Sequence, residues 1–585
     1  MKVMRHNRYV YLYIVRLYIS YFERFFMAKK SSLQKVLIIP LGGVDGIGMN
    51  MTVFEYEDSL IAVDCGVAFP EDDMLGVDLV IPDFSYIEQN SHKLLGLFVT
   101  HGHEDHIGAI PYFLKQFPHV PIYATRMSVG IMEGKLAEHG IRDAHIYETH
   151  AGSVITAGHF EVEFINVNHS MPDACALCIT TPAGRILHTG DFKVDYTPVG
   201  EPPIDLARLA ELGRKGIKLL LADSTNAEQP GYTPSESSLS VSFDRLFAGE
   251  SRRIIIATFS SNVHRVQQVF TASEKVGRKV AVTGRSMQNV VAAAAKLGYL
   301  DVPDGIMIDI SEVRKYPSER VTVLTTGSQG EPMSALYRMA FGEHNHITLG
   351  SEDLVILSSS AIPGNEKLIT KIINELYKRN TSVITYSNYD IHVSGHACRE
   401  ELKLIQALTR PEYFMPVHGE YKHLIAHANL AKEMGMCPER IIIPENGRIA
   451  ELSKRSFKAG GSVVAGAVMV DGSGIGDVGG VVLRERKHLS ESGIIFLTVG
   501  IDPELGYITV PPELMTKGFV YEKQSEELLS DIIEASVKSL EKSFLRNITD
   551  ISIIKNRLRD DIGDFVRKKT KRRPMVVTEI FEVLE

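Results

Sequence analysis

The sequence predicts a mixed α/β protein with three parts: a layered domain, a second α/β domain inserted into it, and a small α/β domain at the C-terminal end. Short apolar runs bounded by turn residues recur over residues 36–190, with few helical stretches between them, which is typical of layered sheets. From about 230 to 387, strand-like runs alternate with helical ones, as in a parallel sheet. A Gly-rich stretch at 451–484 then leads into the last domain.

The elements follow from the periodicity of apolar residues. In the first domain, strands are predicted at 36–41, 51–56, 60–64, 96–100, 120–124, 160–165 and 185–189. The insertion is predicted to contain strands at 253–258, 279–283 and 320–325, with helices over 262–276 and 288–297. The last domain is predicted to have two strands, helices over about 525–543 and 550–568, and a final strand near Met575.

Composition excludes several classes of protein. With 63 Lys and Arg against 72 Asp and Glu, the net charge of −9 excludes a uniformly basic, histone-like binder, although a local basic groove is still compatible with it. The hydrophobic content of 44% and charged content of 23% are those of a globular protein. Five cysteines exclude a disulfide scaffold, and Cys175 and Cys178 are interpreted as core residues because no second CxxC accompanies them. A reducing, cytoplasmic setting fits this composition.

The first 26 residues are unusual because they carry eight aromatic and five basic residues with one acid. Their longest apolar run ends at Arg16, so no membrane span is predicted. An interfacial amphipathic helix and a translation start at Met27 both fit this segment, and we favour the second. Residues 1–32 are therefore predicted to be an extension outside the fold.

The strongest chemical signal is the motif His101-Gly-His-Glu-Asp105-His106, which directly follows a predicted buried strand. Imidazole and carboxylate side chains suit Zn²⁺, with Mn²⁺ as the alternative. Gly102 permits the chain to turn, so that this one loop can supply ligands to two metal positions. A two-metal site needs more ligands, and His169, Asp191 and His418 each follow a predicted strand.

These residues resemble the metallo-β-lactamase superfamily of hydrolases, and later motifs narrow the resemblance. Asp223-Ser-Thr225, His392-Val-Ser-Gly-His396-Ala and Pro416-Val-His418-Gly are similar to motifs of its β-CASP branch. From about residue 36 to 585, the chain resembles the bacterial ribonuclease J family. The resemblance implies an αββα sandwich with an inserted β-CASP domain and a small α/β C-terminal domain. The implied boundaries are 33–226 and 388–450 for the sandwich, 227–387 for the insertion, 451–484 for a linker and 485–585 for the last domain.

The resemblance also implies a role for each motif residue. His101, His103 and His169 would bind one divalent metal, and Asp105, His106 and His418 a second, with Asp191 bridging them. A hydroxide activated by the two metals would attack the phosphodiester. The implied catalytic residues are Asp105, His396, which would contact the scissile phosphate or protonate the leaving oxygen, and Asp223. Asp223 and Asp64 would each orient a ligand histidine, and capping of backbone amides is the alternative for both.

Substrate contacts are less strongly indicated. The candidates are His392, Ser394, Gly395 and His396, together with Ser260 and Ser261, whose loop also fits a plain turn. Single-stranded RNA requires a basic channel, for which Arg252, Arg253, His264, Arg265 and Arg285 are candidates. The run Arg567–Arg573 is a further basic patch. The loop at Asp45-Gly46 departs from the usual Gly-Glu of the family, which puts any role of that Glu in doubt.

The resemblance implies a metal-dependent ribonuclease with 5′-to-3′ exonuclease and endonuclease activity on single-stranded RNA, acting in RNA maturation and mRNA decay. A homodimer or homotetramer is expected, with an RNA helicase or a paralogous ribonuclease subunit as further partners. Two alternatives stay open. One is a small-molecule metallo-hydrolase of the lactonase or thioesterase type, and the other is a non-catalytic scaffold subunit for RNA decay.

Overall fold

The computed structural model describes residues 35–362 and 364–582, so the predictions for the N-terminal extension lie outside the described residues. Within those ranges, none of the helices combines the length and apolar character needed to cross a membrane. The chain forms two compact units. Of the described residues, the first unit comprises those up to Ala68 and those within Ile81–Ala467, and the second comprises Phe69–Val80 and those from Val468 to Glu582.

Over residues 35–223, the described chain forms twelve strands and five α-helices, and the strand Leu79–Pro82 has residues in both units. The strands are β1 (Val36–Gly42), β2 (Met51–Tyr56), β3 (Ser59–Val63), β4 (Leu79–Pro82), β5 (Leu94–Phe98), β6 (Ile122–Thr125), β7 (Ile146–Thr149), β8 (Val154–Ala157), β9 (Phe160–Asn166), β10 (Cys175–Thr181), β11 (Gly184–His188) and β12 (Leu219–Asp223). The helices are α1 (Ser85–Gln89), α2 (Glu104–Ile107), α3 (Ile110–Gln116), α4 (Arg126–Glu138) and α5 (Leu206–Lys215).

The insertion and the return to the first domain follow. The insertion contains strands β13 (Arg253–Ala257), β14 (Lys279–Thr283), β15 (Met307–Ile308), β16 (Val321–Thr325), β17 (Asp353–Leu357) and β18 (Ser382–Thr385). Its helices are α6 (Ser238–Phe247), α7 (Val263–Lys275), α8 (Arg285–Leu297), α9 (Ala335–Phe341) and α10 (Glu366–Lys378). The chain then forms α11 (Arg399–Thr409), β19 (Tyr413–Val417), α12 (Tyr421–Glu433), β20 (Arg448–Leu452) and β21 (Phe457–Ser462).

Two sheets of the first unit pack face to face. One has the strand order β21-β20-β1-β2-β3-β5-β6-β7, and the other β19-β12-β11-β10-β9-β8. Between them lies a core of fully buried side chains that includes Phe54, Phe98, Phe164 and Leu177. Apolar residues of α5 and α11 cover the outer face of the second sheet, among them Leu209, Leu212, Leu402 and Ile405. The predicted sandwich with an inserted α/β domain is confirmed.

The inserted domain has a six-stranded sheet of order β15-β14-β16-β13-β17-β18, in which every neighbouring pair is parallel. After its first residue, a strand such as Arg253–Ala257 is apolar and buried, because helices cover both faces of such a sheet. In the sandwich, Cys175 and Cys178 of β10 belong to different core clusters. Residues three apart on a strand point to opposite faces, so these two thiols form no shared site.

The stretch 451–484 differs from the predicted linker. Strand β20 pairs with β1, with Ile38 opposite Ala450, and β21 extends the same sheet. Leu452 and Phe457 are buried in the core between the sheets. The glycines at 460–461 hid this edge strand from sequence reasoning, because their composition resembles that of a flexible connector.

The second unit is a small α/β domain. Its elements are β22 (Ala467–Asp471), β23 (Gly474–Ile475), α13 (Gly480–Ser492), β24 (Ile494–Asp502), β25 (Tyr507–Lys517), α14 (Glu526–Phe544), α15 (Ile551–Thr570) and β26 (Met575–Glu582). Strand β24 is central, antiparallel to β25 and parallel to β26. The two long helices bury Ile532 and Leu558 with Leu497 in one core. Helix α15 is capped by Asp550, whose carboxylate accepts the amides of Ser552 and Ile553.

Candidate metal centre and active site

The site residues lie at the ends of strands on one edge of the sandwich. Strands β3 and β5 are parallel, and β11, β12 and β19 are also parallel, so the carboxyl ends of each set meet at the same edge. In the register of β12 and β19, Asp223 lies opposite Val417, which places it beside His418. Sheet pairing therefore assembles residues that are up to 317 positions apart in sequence, from His101 to His418.

A first group of four side chains can hold a metal: His101, His103, His169 and Asp191. His103 Nδ1 lies 3.0 Å from His101 Nε2 and 3.1 Å from His169 Nε2. Asp191 Oδ2 is 3.7 Å from His101 Nε2 and 3.8 Å from His169 Nε2. Three ring nitrogens and one carboxylate oxygen thus face a common point.

A second group shares Asp191 and adds Asp105, His106 and His418. Asp191 Oδ2 lies 3.3 Å from His106 Nε2 and 3.4 Å from His418 Nε2. Asp105 Oδ2 lies 3.5 Å from His106 Nε2 and 3.3 Å from His418 Nε2. The structure therefore brings all seven predicted ligands together, in the two groups that the resemblance implies.

The side chains present fit a divalent metal. Among the described residues, Asp191 Oδ1 is buried without a hydrogen-bond partner, although buried polar atoms are normally paired. Burial lowers the pKa of His103 to about 4 and holds the pKa of His101 and His169 well below the usual range. These imidazoles are therefore neutral, which is the form that binds a metal. Convergent neutral imidazoles and carboxylates are the donor set of hydrolytic metal sites.

Outer contacts fix the orientation of the ligand histidines. Asp64 Oδ2 lies 2.8 Å from His106 Nδ1, and the same carboxylate accepts the amide and hydroxyl of Thr100, each at 2.8 Å. Thr225 Oγ1 lies 2.7 Å from His418 Nδ1. In each case the contact occupies the ring nitrogen that faces away from the group of ligands, so the other nitrogen is aimed inward.

His169 is held by the backbone of the loop that carries His396. Its Nδ1 lies 2.7 Å from the carbonyl oxygen of Gly395. A Cβ atom at residue 395 would stand 2.7 Å from the His169 ring, so only glycine permits this approach. Gly395 thus contacts a predicted metal ligand through its carbonyl group.

His396 and Asp223 form a dyad beside the second group. His396 Nδ1 lies 2.8 Å from Asp223 Oδ2 and 4.0 Å from Asp191 Oδ2. Burial lowers the pKa of His396, but the Asp223 carboxylate outweighs this effect, and the net pKa is raised. The His396 side chain is 21% exposed, so this imidazole is both protonated more readily than usual and accessible. Asp223 Oδ1 also lies 3.4 Å from His418 Nδ1 and accepts the amide of Thr225 at 2.9 Å.

The other predicted substrate residues are placed differently. Ser394 Oγ accepts Asn226 Nδ2 at 2.9 Å and the amide of His396 at 3.1 Å, which shapes the loop. His392 is half-buried, with Nε2 3.2 Å from Ser360 Oγ. Ser260 and Ser261 lie in the turn between β13 and α7, and no hydrogen bond among the described residues joins their side chains to the metal ligands.

Four of the five candidate basic residues, all except Arg285, form no common basic channel. Arg265 is fully buried and pairs with Glu236, and His264 is also buried, so neither lines an open channel. Arg252 and Arg253 stand at the opposite end of β13 from the turn at 258–262, paired with Glu250 and Asp353. The sequence predicted that these basic side chains face solvent, because Arg is mostly exposed unless it is paired. The acidic partners that allow burial are recognised only in the folded protein.

Sequence reasoning missed three polar residues. Asn50 Nδ2 lies 2.9 Å from the Asp105 carbonyl oxygen and 3.1 Å from His106 Nε2. Asn226 donates to the His396 carbonyl oxygen at 3.0 Å, and Thr225 contacts His418 as above. The run Asp223-Ser-Thr-Asn226 offered a signal for the last two, whereas Asn50 had none.

Four family models match successive parts of the chain. Residues 45–247 match the metallo-beta-lactamase superfamily, and residues 251–376 match the ribonuclease J beta-CASP domain. Residues 384–444 match a Zn-dependent metallo-hydrolase RNA specificity domain, and residues 481–583 match the ribonuclease J C-terminal domain.

Similar proteins cover nearly the whole chain. Ribonuclease J 1 of Streptococcus pyogenes is 42% identical over 93% of this chain and 97% of its own. Ribonuclease J2 of Bacillus subtilis is 39% identical over 95% of this chain and 100% of its own. A crystal structure of an Enterococcus faecalis protein of unknown function covers 72% of this chain and 100% of its own at 18% identity, and its TM-score of 0.51 shows a shared fold. The predicted family is confirmed: this chain belongs to the ribonuclease J family.

Proposed function

We propose that this protein is a metal-dependent ribonuclease that cleaves single-stranded RNA from the 5′ end and also internally. The observation that carries the proposal is the meeting of two ligand groups at one shared carboxylate, Asp191, with the His396–Asp223 dyad alongside. The match of residues 384–444 to an RNA specificity domain supports RNA as the substrate. The names of the similar proteins from Streptococcus and Bacillus support the same reaction.

One group of residues would bind the metals, and another would transfer a proton. His101, His103 and His169 would hold one divalent ion, and Asp105, His106 and His418 a second, with Asp191 between them; we propose Zn²⁺, with Mn²⁺ as the alternative. Bound in this way, two divalent ions lower the pKa of water and neutralise charge that develops on a phosphodiester.

His396 supplies the proton. With Nδ1 held by Asp223, the other ring nitrogen is the one that can donate to the leaving oxygen when the ester bond breaks. The Asp223 carboxylate stabilises the charged imidazolium before donation and fixes its orientation. Asp64, Thr100 and Thr225 keep the ligand rings aligned while this happens.

Substrate choice and setting complete the proposal. We propose a preference for RNA with a 5′-monophosphate. Ser394 and Gly395 would lie near a phosphate of the bound RNA, and Ser260 and Ser261 would lie along the RNA strand. The protein would act in the cytoplasm in RNA maturation and mRNA decay. A homodimer or homotetramer, with an RNA helicase or a paralogous subunit as partner, is the assembly we propose.

One assay tests these points together. Uniformly labelled single-stranded RNA with a monophosphate, triphosphate or hydroxyl 5′ end is incubated with the full chain, before and after exhaustive chelation and with Zn²⁺ or Mn²⁺ added back. We expect mononucleotides to be released fastest from the monophosphate, internal fragments from all three, and no cleavage after chelation. Full activity after chelation, or hydrolysis of lactones or thioesters in place of RNA, would overturn the proposal.

A further inference from the structure

A chain of ionisable side chains, all buried except the half-buried Glu201, lies where the inserted domain meets the sandwich. We call it the joint and define it as Lys193, Glu201, Glu236, His264 and Arg265. Lys193 is 1% exposed, Arg265 is fully buried and Glu236 is 3% exposed. His264 and Arg265 occupy the first turn of helix α7, whereas Lys193 and Glu201 belong to the segment that follows the predicted metal ligand Asp191.

One arm of the joint links the Asp191 segment to helix α7. Lys193 Nζ lies 3.4 Å from Asp195 Oδ2 and 3.8 Å from Glu236 Oε2. The other carboxylate oxygen of Glu236 accepts Arg265 Nε at 2.8 Å. Burial raises the pKa of Glu236, but the positive charges of Arg265 and, to a smaller extent, Lys193 outweigh this effect. The net pKa of Glu236 is therefore lowered, and its carboxylate is charged.

A second arm links the His169 segment to the same helix end. The amide of Lys193 donates to the carbonyl oxygen of Asn168, the residue before His169, at 2.8 Å. Asn168 Nδ2 in turn donates to Glu201 Oε1 at 2.9 Å, and this oxygen is 3.3 Å from His264 Nε2. Two metal-ligand segments are therefore tied to two adjacent residues of one helix.

Arg265 extends the joint to the loop that carries His396. Its Nη1 donates to the carbonyl oxygen of Ile391 at 3.1 Å and to Ser358 Oγ at 2.7 Å, and Ser358 Oγ donates to the same Ile391 oxygen at 2.6 Å. Ile391 begins the loop that contains Ser394, Gly395 and His396. One guanidinium group thus fixes where this loop leaves the inserted domain.

The buried ionisable groups of the joint are energetically unfavourable compared with apolar packing. Buried charges lose their hydration, and replacing such a group with apolar side chains of similar volume often leaves stability unchanged or raised. Among the described residues, Lys193 Nζ, His264 Nε2 and Arg265 Nη2 are buried without a hydrogen-bond partner, so the joint is not optimised for stability. Its distinctive property is geometric, because contacts through Glu236 and Glu201 link the first turn of helix α7 to the segment that follows Asp191.

We propose that the joint is a positioning device that holds His169, Asp191 and His396 in register through helix α7 of the inserted domain. This inference rests on the proposed function for its activity measurement, since it concerns the alignment of the same site. The inserted domain then contributes to the reaction by setting the geometry of groups that it does not itself carry.

The test separates positioning from stability. In the full chain, the triple substitution Lys193→Met, Glu236→Leu and Arg265→Met replaces the charges with apolar side chains of similar size. We expect an unchanged or raised melting temperature, unchanged metal content and a KM for RNA within about threefold of the unsubstituted protein, with kcat lowered on the order of 10²-fold, the loss typical of a misplacement of about 1 Å. The control is Arg253→Met with Asp353→Leu, which removes an ion pair at the far end of β13 and should leave kcat unchanged.

A second measurement does not depend on RNA cleavage. The absorption spectrum of the Co²⁺-loaded protein reports the geometry of its ligands, and we expect its bands to move in the triple variant and not in the control. If the triple variant does not fold, Arg265→Lys serves instead, because lysine keeps the charge but cannot reach Glu236, Ser358 and Ile391 at once. A variant with unchanged kcat and an unchanged spectrum overturns the proposal that the joint positions the site residues. If the unsubstituted protein fails to cleave RNA, the proposed function is wrong. The Co²⁺ spectrum alone then tests whether the joint positions the ligands.

Discussion

The contact between Asp64 and His106 gives a prediction with a calculable size. The substitution Asp64→Asn keeps the shape of the side chain and suits the left-handed backbone at this residue, where φ is 60°. The Asp64 carboxylate is 2% exposed and takes three contacts of 2.8 Å, two from Thr100 and one at His106 Nδ1. When His106 Nε2 binds metal, Nδ1 carries the proton and donates to Asp64 Oδ2.

An asparagine satisfies only part of this arrangement. Its oxygen can still accept the amide of Thr100, but its NH₂ group then faces the Nδ1–H of His106, donor against donor. The lost bond involves a charged acceptor and is worth about 1.5–3 kcal/mol. At 1.4 kcal/mol per factor of ten, affinity for the metal at the position held by Asp105, His106 and His418 should fall about 10- to 100-fold.

Competition with a chelator of known affinity measures this change. We expect two-step metal release in which one step weakens much more than the other, because Asp64 contacts His106 directly but reaches His101 only through Thr100 Oγ1, which lies 3.1 Å from His101 Nδ1. The control Asp309→Asn changes an exposed carboxylate whose hydrogen bonds within the described residues go to Ser311, and both steps should stay in place. Equal weakening of both steps, or of neither, would refute the assigned role of Asp64.

Three further predictions concern the reaction. His103→Ala or Asp191→Ala should abolish RNA cleavage, while RNA affinity, measured by filter binding, stays within about threefold of that of the unsubstituted protein. Loss of both cleavage and RNA affinity, together with a lowered melting temperature, would indicate misfolding. His396→Ala should lower kcat by about 10²- to 10⁴-fold with metal content unchanged by elemental analysis, whereas loss of a metal would make His396 a ligand. Because Asp223 helps to raise the pKa of His396, the proton needed for cleavage is lost only as pH rises through this raised value. Asp223→Asn should therefore move the falling limb of the profile of kcat against pH to lower pH, and a limb that stays in place would contradict proton donation by His396.

Much of the site could be predicted from sequence because its residues cluster after strands. The motif at 101–106 contributes four of the seven ligands, and its histidines stand close together in any fold that places a turn there. Most strand and helix predictions needed only the alternation of apolar residues, as with the predicted helix over 262–276 and the observed Val263–Lys275. Substrate contacts were harder, because a serine or arginine in a loop carries no sign of the direction in which it points.

The sequence by itself determined the types of ligand, their order along the chain, and the alternation of strands and helices that defines the two α/β domains. Only the tertiary structure decided which residues meet. It placed Asp223 beside His418 through the pairing of β12 with β19, and the Gly395 carbonyl against His169. It also placed Arg265 in the interior, although its charge suggested an exposed surface. The reason is physical: spacing along the chain fixes local geometry, whereas burial and charge pairing depend on residues that are distant in sequence and adjacent only in the folded protein.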